Sequence, residues 1–480
     1  MLLLAAALPG HAVEVAPRIT LGTIVTDNVR LARKELEESD VIGLVQPGIN
    51  IQSRGSRYDF YLDYALQAFF YADQEESDQT FSIGNTRLGV DILPETFRVT
   101  GVASIAQTII APDVPAPAGN LPIVANRQDQ TILQVTPEWT QRIGSAEGNF
   151  SYTRGQVIFG ESQFEDIPFE EWRNTIDGPE RDRGLTWSLR HQYGSYDYTT
   201  IEIKRQSAEL YLFSNLGSGF APFVSAGVES DFADPTTATL DYFIWNAGLR
   251  YGSASTSAEV SYGERSFGNN LRVSLRRQSA DRPGNFIQAS YTETPQTPAN
   301  LSSAAQLPPP GTPIIPGQPP PLDPGFPTDQ PPLILPPALA QSFLTKRGQV
   351  AVGREMVRSR FRVTLFAEDL ESVPFVGQPS QDQFGSSQYG VTGNYSYDIG
   401  SRVTFQAYLT VTDQEFTQGD AITTAATVIF GRLGLNFQLG QKTSLSTWVG
   451  TNRWENVSGT SNQAGFEQNS LGIFLTRSFF

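Results

Sequence analysis

His191, in LRHQYGS, is the residue that first invites a chemical reading, because histidine occurs only 2 times in 480 positions and His11 falls in an apolar N-terminal run. With Ser188 and Ser195 as the nearest serines, it is the one candidate base for a Ser/His hydrolase. Such a site needs a third group to orient the imidazole, and no spacing marks one. A lone histidine near a turn is more often structural. The chain has no cysteine, and no His or Cys spacing fits a metal centre. GSGFAP at 217–222 lacks the spacing and the lysine of a phosphate loop and reads as a turn. The sequence therefore reads as a non-enzyme with no cofactor.

Two charge patterns remain. Glu35, Glu37, Glu38 and Asp40 form one acidic group, Asp73, Glu75, Glu76 and Asp78 a second, and Glu165, Asp166, Glu170 and Glu171 a third. Solvated loop charge is the plain reading. The functional alternative is weak Ca²⁺ or Mg²⁺ binding by Glu37, Glu38, Asp40, Glu75, Glu76 and Asp78, since both cations prefer oxygen ligands. Arg57, Arg98, Arg142, Arg358, Arg360 and Arg402 lie beside short turns, with Arg362 close by. Guanidinium groups gathered at one mouth would receive an anionic glycan, with Tyr61 and Tyr408 as stacking faces. An equal alternative pairs these arginines with carboxylates such as Asp59 and Asp63 to brace the wall.

The elements that must carry these side chains are strands. In RYDFYLDYALQAFFYAD (57–73), Tyr58, Phe60, Leu62, Tyr64, Leu66, Ala68 and Phe70 share one register, while Arg57, Asp59, Asp63, Gln67 and Asp73 occupy the other. Seventeen residues far exceed the five or six of a usual soluble strand. The alternation recurs in ETFRVTGVASIAQTII, RFRVTLFAED and SRVTFQAYLTVTD. Arg98, Arg360, Arg362 and Arg402 stand on the polar register. At mid-membrane an arginine facing lipid costs about 2–4 kcal/mol, so that register must point into a lumen.

The expectation is a transmembrane outer-membrane antiparallel β-barrel of 18–22 strands, with 22 the best count. Splitting YDYTTIEIKRQSAELYLF in two gives that number. Short links at 54–57, 93–96, 144–147, 252–256 and 398–401 alternate with long polar ones at 28–40, 112–129, 160–181, 231–238, 371–386 and 456–466. This is the habit of tight periplasmic turns and long external loops. Tyr64, Phe69, Phe70 and Tyr71 are expected in an aromatic girdle, and bulges are expected at Pro47 and Pro137. Residues 295–340 hold 16 of the 32 prolines and read as an external loop insertion within a single barrel spanning 13–480.

No run of eighteen apolar residues occurs, which excludes a transmembrane helix but not a barrel. The net charge of −16 argues against nucleic-acid partners. Residues 1–12 read as a signal peptide cleaved after Ala12, implying export by the Sec pathway, although no Lys or Arg precedes the apolar run. The alternative is a frayed apolar N-terminus. Phe479 and Phe480 end an amphipathic last strand and resemble the signal read by the barrel-assembly machinery. Outer-membrane lipid and lipopolysaccharide are the other expected partners, the acidic loops sharing divalent cations with lipopolysaccharide phosphates.

From Thr26 onward, TDNVRL, then SDVIGLVQPGINIQSRGSRYDFYLDYALQAFFY, then LTKRGQVAVGREMVRSRFRVTLFAED and the aromatic terminus, the chain resembles the outer-membrane family associated with PEP-CTERM and exosortase systems. Asp27, Asn28, Pro47 and Gly48 carry much of that likeness. The resemblance implies a barrel tied to exopolysaccharide export, with polysaccharide-export proteins as partners and no catalytic residues to carry over. A porin for small solutes and a closed structural or adhesive barrel are the alternatives.

Overall fold

A computed structural model describes residues 13–109, 127–160, 166–179, 184–198, 201–216, 219–232, 241–279, 284–296, 342–373, 384–418, 421–458 and 465–479. In chain order the strands are β1 (Val13–Thr26), β2 (Asp40–Arg54), β3 (Tyr58–Tyr71), β4 (Gln79–Leu93), β5 (Phe97–Ile109), β6 (Arg127–Ile143) and β7 (Ala146–Phe159). β8 (Ile167–Asp177), β9 (Gly184–Tyr198), β10 (Ile201–Asn215), β11 (Phe220–Phe232), β12 (Asp241–Gly252), β13 (Thr256–Arg265), β14 (Gly268–Gln278) and β15 (Asn285–Gln296) follow. The last are β16 (Ser342–Glu355), β17 (Ser359–Val373), β18 (Phe384–Asp398), β19 (Val403–Gln418), β20 (Ala421–Gly440), β21 (Thr443–Ser458) and β22 (Phe466–Ser478). Short 3-10 turns occur at Lys34–Leu36 and Glu75–Ser77.

Each strand pairs antiparallel with its sequence neighbours, and β22 returns to β1 from Arg18↔Ser478 to Thr26↔Ser470. The 22 strands therefore close into one cylinder, the upper end of the sequence-based range. Closure leaves no edge, so the backbone can be paired around the whole circumference.

The two registers differ as the alternation requires. On β19, Leu409 is 52% exposed and Thr410 4%; on β17, Leu365 is 57% exposed and Phe366 5%. Inner side chains crowd one another on the concave face, whereas outer ones splay apart. Leu66, Phe70, Leu133, Val135, Trp139, Leu249, Val260, Leu433 and Ile473 all lie on the outer face. So large an apolar surface is not left to water by a soluble monomer.

One end of the cylinder carries the tight turns 55–57, 94–96, 144–145, 253–255, 356–358, 399–402 and 441–442; the other carries 27–39 and 72–78. Length does not separate the ends everywhere, since β13 and β14 are joined at the long-loop end by 266–267 alone. Gly144 (φ 65°) supplies left-handed backbone in one tight turn, and Glu95 (φ 60°) adopts it without a glycine's freedom.

Three expectations are corrected. The segment 160–181 is not one long loop: it holds β8, so Glu170 and Glu171 are strand residues on opposite faces. YDYTTIEIKRQSAELYLF does divide in two, as the count of 22 requires: Tyr198 ends β9, and β10 runs from Ile201 to Asn215. Phe69 and Tyr71 are buried on the inner face, so they are not girdle residues, while Phe70 points outward. Pro47 and Pro137 cause no bulge. The β2–β3 ladder passes from Val45↔Ala68 to Gly48↔Ala65, and the β6–β7 ladder from Val135↔Arg154 to Glu138↔Ser151, both in unchanged register. A bulge would swap the faces of the rest of the strand, whereas a missing ladder bond costs only about 1 kcal/mol. Register shifts fall instead near strand ends, between Asp91 and Leu93, Phe416 and Thr417, Ala425 and Thr427, and Gln438 and Gly440. The proline-rich segment begins inside β15, which includes Pro295 and ends at Gln296; 297–341 lies outside the described residues, as do 1–12 and Phe480.

Candidate functional site on the inner wall

The inner register changes character along the barrel axis. At the short-turn end it is charged and ion-paired. Arg98 on β5 stands opposite Asp91 and bonds it at 2.8 Å, then reaches across Gly89, which has no side chain to obstruct it, to Asp59 on β3. Arg18 on β1 does the same across Gly48, gripping Asp63 through both terminal nitrogens, one bond being 2.8 Å, while Asn50 adds a bond of 3.2 Å. On the opposite arc Arg250 Nε donates to Glu259 at 2.8 Å. These pairs span two or three strands each and brace the wall.

At the long-loop end the inner register turns apolar. Ile24, Ile42, Leu44 and Phe69 near that end form one buried cluster with Trp448 and Phe474, which lie toward the short-turn ends of β21 and β22. Val157, Phe159, Ile167, Phe169, Tyr196 and Ile203 form another on β7 to β10. The loop 27–39 folds inward onto this wall. Val29 enters the first cluster, and Leu31, held at φ 51°, enters a third with Ala426, Trp454 and Phe466. Asn28 fixes the entry, its side-chain amide donating to the carbonyls of Ala32 (2.6 Å) and Glu467 (2.9 Å) and its main-chain carbonyl accepting from the Gln468 side chain (3.0 Å). Arg30 then pairs with Glu38 of the same loop and ties it to Gln74 and Glu76 of the loop 72–78.

On several strands large planar side chains of the inner wall lie flat over glycines of neighbouring strands. A Cβ on Gly248 would meet Phe223 at 2.5 Å, one on Gly353 would meet Phe286 at 2.5 Å, and one on Gly472 would meet Trp448 at 2.4 Å. Each ring carries a guanidinium: Arg250 on Phe223 at 4.8 Å, Arg362 on Phe286 at 5.7 Å and Arg432 on Trp448 at 3.8 Å. Such contacts add cation–π attraction to the packing.

The arginines singled out in the sequence all lie at the short-turn end. Arg57 and Arg402 sit exposed in turns, where their carbonyls accept the N–H groups of Asp91 and Gln438. Arg142 and Arg360 are exposed on the inner register opposite Glu147 and Glu355. Arg98 is ion-paired as described, and Arg362 is buried against Phe286. Tyr61 and Tyr408 are both on the inner register, Tyr61 opposite Arg87 and Tyr408 with its ring 5.4 Å from Phe430. Arg18, Arg432 and the inward loop were not singled out. Arg432 had a signal: it is the sole charged residue on the even-numbered, inner positions of β19 to β22 among the described residues.

The acidic candidates tie the external loops together. Asp40 Oδ1 accepts the N–H groups of Val41, Ala72 and Asp73, and Asp78 accepts that of Tyr71. Glu38 and Glu76 face Arg30; Glu37 and Glu75 lie in the same two loops, beside or within the 3-10 turns. Among the described residues no group of three or more His, Cys, Asp or Glu side chains is arranged to hold a metal ion. Phe479 extends the outer register and its N–H donates to the Pro17 carbonyl at 2.8 Å.

His191 and Ser188 lie on opposite faces of β9, since they are an odd number of positions apart. The His191 nitrogens sit 3.0 Å and 3.2 Å from the amide groups of Asn174 and Gln206, while Ser195 donates to Glu202 at 2.7 Å. No Ser/His pair is assembled there.

No family model and no curated protein matches the sequence. Solved structures do resemble the fold. FpvAI in its complex with pyocin S2 shares 11% identity at a TM-score of 0.50, over 97% of this chain and 70% of that one. The FrpB iron transporter of Neisseria meningitidis shares 8% at 0.45, over 99% and 82%. A loop L8 deletion mutant of OmpT, an outer membrane protein of Vibrio cholerae, shares 11% at 0.32, over 98% and 99%. The fold of this chain is that of an outer-membrane β-barrel.

Proposed function

We propose that this protein is a non-enzymatic outer-membrane channel that assists the export of an exopolysaccharide or a related polymer. The observation that supports it is the graded inner wall. A sugar chain needs polar partners for its hydroxyls and flat apolar faces for its rings. The wall offers the first near Arg98, Asp59 and Asp63 and the second near Phe430, Trp448 and Phe474. In this reading the short-turn end is periplasmic, residues 1–12 direct Sec export, and the aromatic C-terminus is read during barrel assembly. The sequence resemblance to exopolysaccharide-locus barrels supports the choice of cargo. The inward fold of 27–39 favours a second reading, a porin for small solutes, because it narrows the wall from inside.

Planar-bilayer recording separates a channel from a closed structural barrel. The protein is expected to give stepwise conductance, larger after deletion of 300–337; an ion-tight barrel before and after that deletion would exclude a pore. Export adds a second expectation, that a deletion strain accumulates glycan in its periplasm. Unchanged secretion would leave the small-solute porin in its place.

A further inference from the structure

Arg432 differs from Arg250, which is likewise stacked on an aromatic ring of the inner wall. Arg250 has Glu259, but Arg432 has no ion-paired carboxylate among the described residues, and its Nη2 has no hydrogen-bond partner there. The side chain is 6% exposed, so water replaces the missing partner poorly. It lies across Gly450, whose Cβ position is 3.8 Å from its Cγ, and its guanidinium rests 3.8 Å from the centre of the Trp448 ring. Gly434, the next inner residue along β20, leaves the wall low on the short-turn side. The Tyr408–Phe430 pair borders the site laterally. Below it Asn436 donates to Gln406 at 3.3 Å and accepts from Ser446 at 2.6 Å, a short polar chain of the kind that meets sugar hydroxyls.

A buried cation without a counter-ion is costly, and it persists where an incoming group supplies the anion. The planar fork of arginine matches a carboxylate through two parallel bonds, and the aromatic faces beside it suit a pyranose ring. We propose that Arg432, bedded on Trp448, is a binding subsite for the carboxylate of an acidic sugar residue, a uronate, within the transported glycan. The subsite rests on the channel reading but is testable without conduction.

The test is equilibrium binding to the full-length barrel in detergent micelles by titration calorimetry, with an oligogalacturonate as probe and a neutral glucose oligomer of equal length as control. Arg432→Gln is expected to weaken oligogalacturonate binding by about tenfold or more, the loss of a charge-assisted pair, and to leave the neutral oligomer unaffected. Arg432→Lys is expected to fall between, keeping the charge but not the fork. Heat-modifiable migration on gels verifies that each variant is folded. Equal binding by wild type and Arg432→Gln would overturn the subsite, as would a wild type that does not bind the uronate oligomer. Competition by acetate as strong as that by the oligomer at equal carboxylate concentration would also overturn it, since the site would then serve any small anion. A non-conducting barrel that still binds through Arg432 would remove the channel and keep the subsite.

Discussion

Arg18 and Asp63 show how the inner wall uses charge. Their side chains are 9% and 11% exposed, and the two-pronged contact crosses a glycine to join β1 to β3. Asp63→Ala leaves a guanidinium with neither partner nor bulk water. The expected cost lies between the ~1 kcal/mol of an exposed pair and the ~3–5 kcal/mol of a fully buried one. Arg30 makes the contrast: its pairs with Glu38 and Glu76 involve side chains 54–70% exposed, so Arg30→Ala should cost less than about 1 kcal/mol. Urea unfolding of the barrel in lipid measures both, and equal effects would contradict this ranking. Asp59 and Asp63 were legible as wall-bracing carboxylates because β3 alternates cleanly. Arg18 was not singled out, although Arg18 and Thr20 alternate with Ile19 and Leu21 in PRITLG, because its partner Asp63 lies two strands away and no spacing within one strand shows that pairing.

Among the elements, the loop 27–39 has the largest consequence for passage. It is held by two apolar side chains, Val29 and Leu31, seated in separate clusters of the wall. Leu31 keeps a left-handed backbone that costs a non-glycine residue about 1–2 kcal/mol, which its burial offsets. Changing both residues to aspartate should release the loop without opening the cylinder, because every ladder bond between strands remains. Single-channel conductance is then expected to rise while the unfolding midpoint moves little; unchanged conductance would show that the loop does not narrow the pore. Nothing in VRLARKELEES distinguishes an inward loop from a solvated one, since Val29, Leu31, Ala32 and Leu36 carry no period and Leu36 is exposed. β8 was hidden for a related reason. Glu170 and Asn174 on its outer face sit between inward Glu171, Arg173 and Thr175, so IPFEEWRNTID lacks the contrast on which alternation depends. β3, β5, β17 and β19 had that contrast and were read correctly as amphipathic strands.

For the molecule as a whole, the barrel class and the strand number followed from repeated alternation, because a period of two with tall apolar registers has few solutions other than a cylinder in lipid. The gradient along the lumen did not follow. Near the long-loop end both registers are apolar, as in Ala68-Phe69-Phe70-Tyr71, and a girdle facing headgroups reads the same as an inner collar until facing is known. Closure decides it, since the pairing of β22 with β1 fixes which side of every strand is concave. The outer face must then meet hydrocarbon and the inner face an aqueous or ligand-filled lumen. The absence of native cysteine allows single labels along β19 without background. Spin labels placed one at a time from Ala407 to Thr412, in protein reconstituted into bilayers, report collision with lipid-soluble oxygen and with a water-soluble nickel complex. Labels at 407, 409 and 411 are expected to collide with oxygen and those at 408, 410 and 412 with nickel, in strict alternation. A flat profile, or oxygen favouring the even positions, would contradict a cylinder whose odd register on β19 faces lipid.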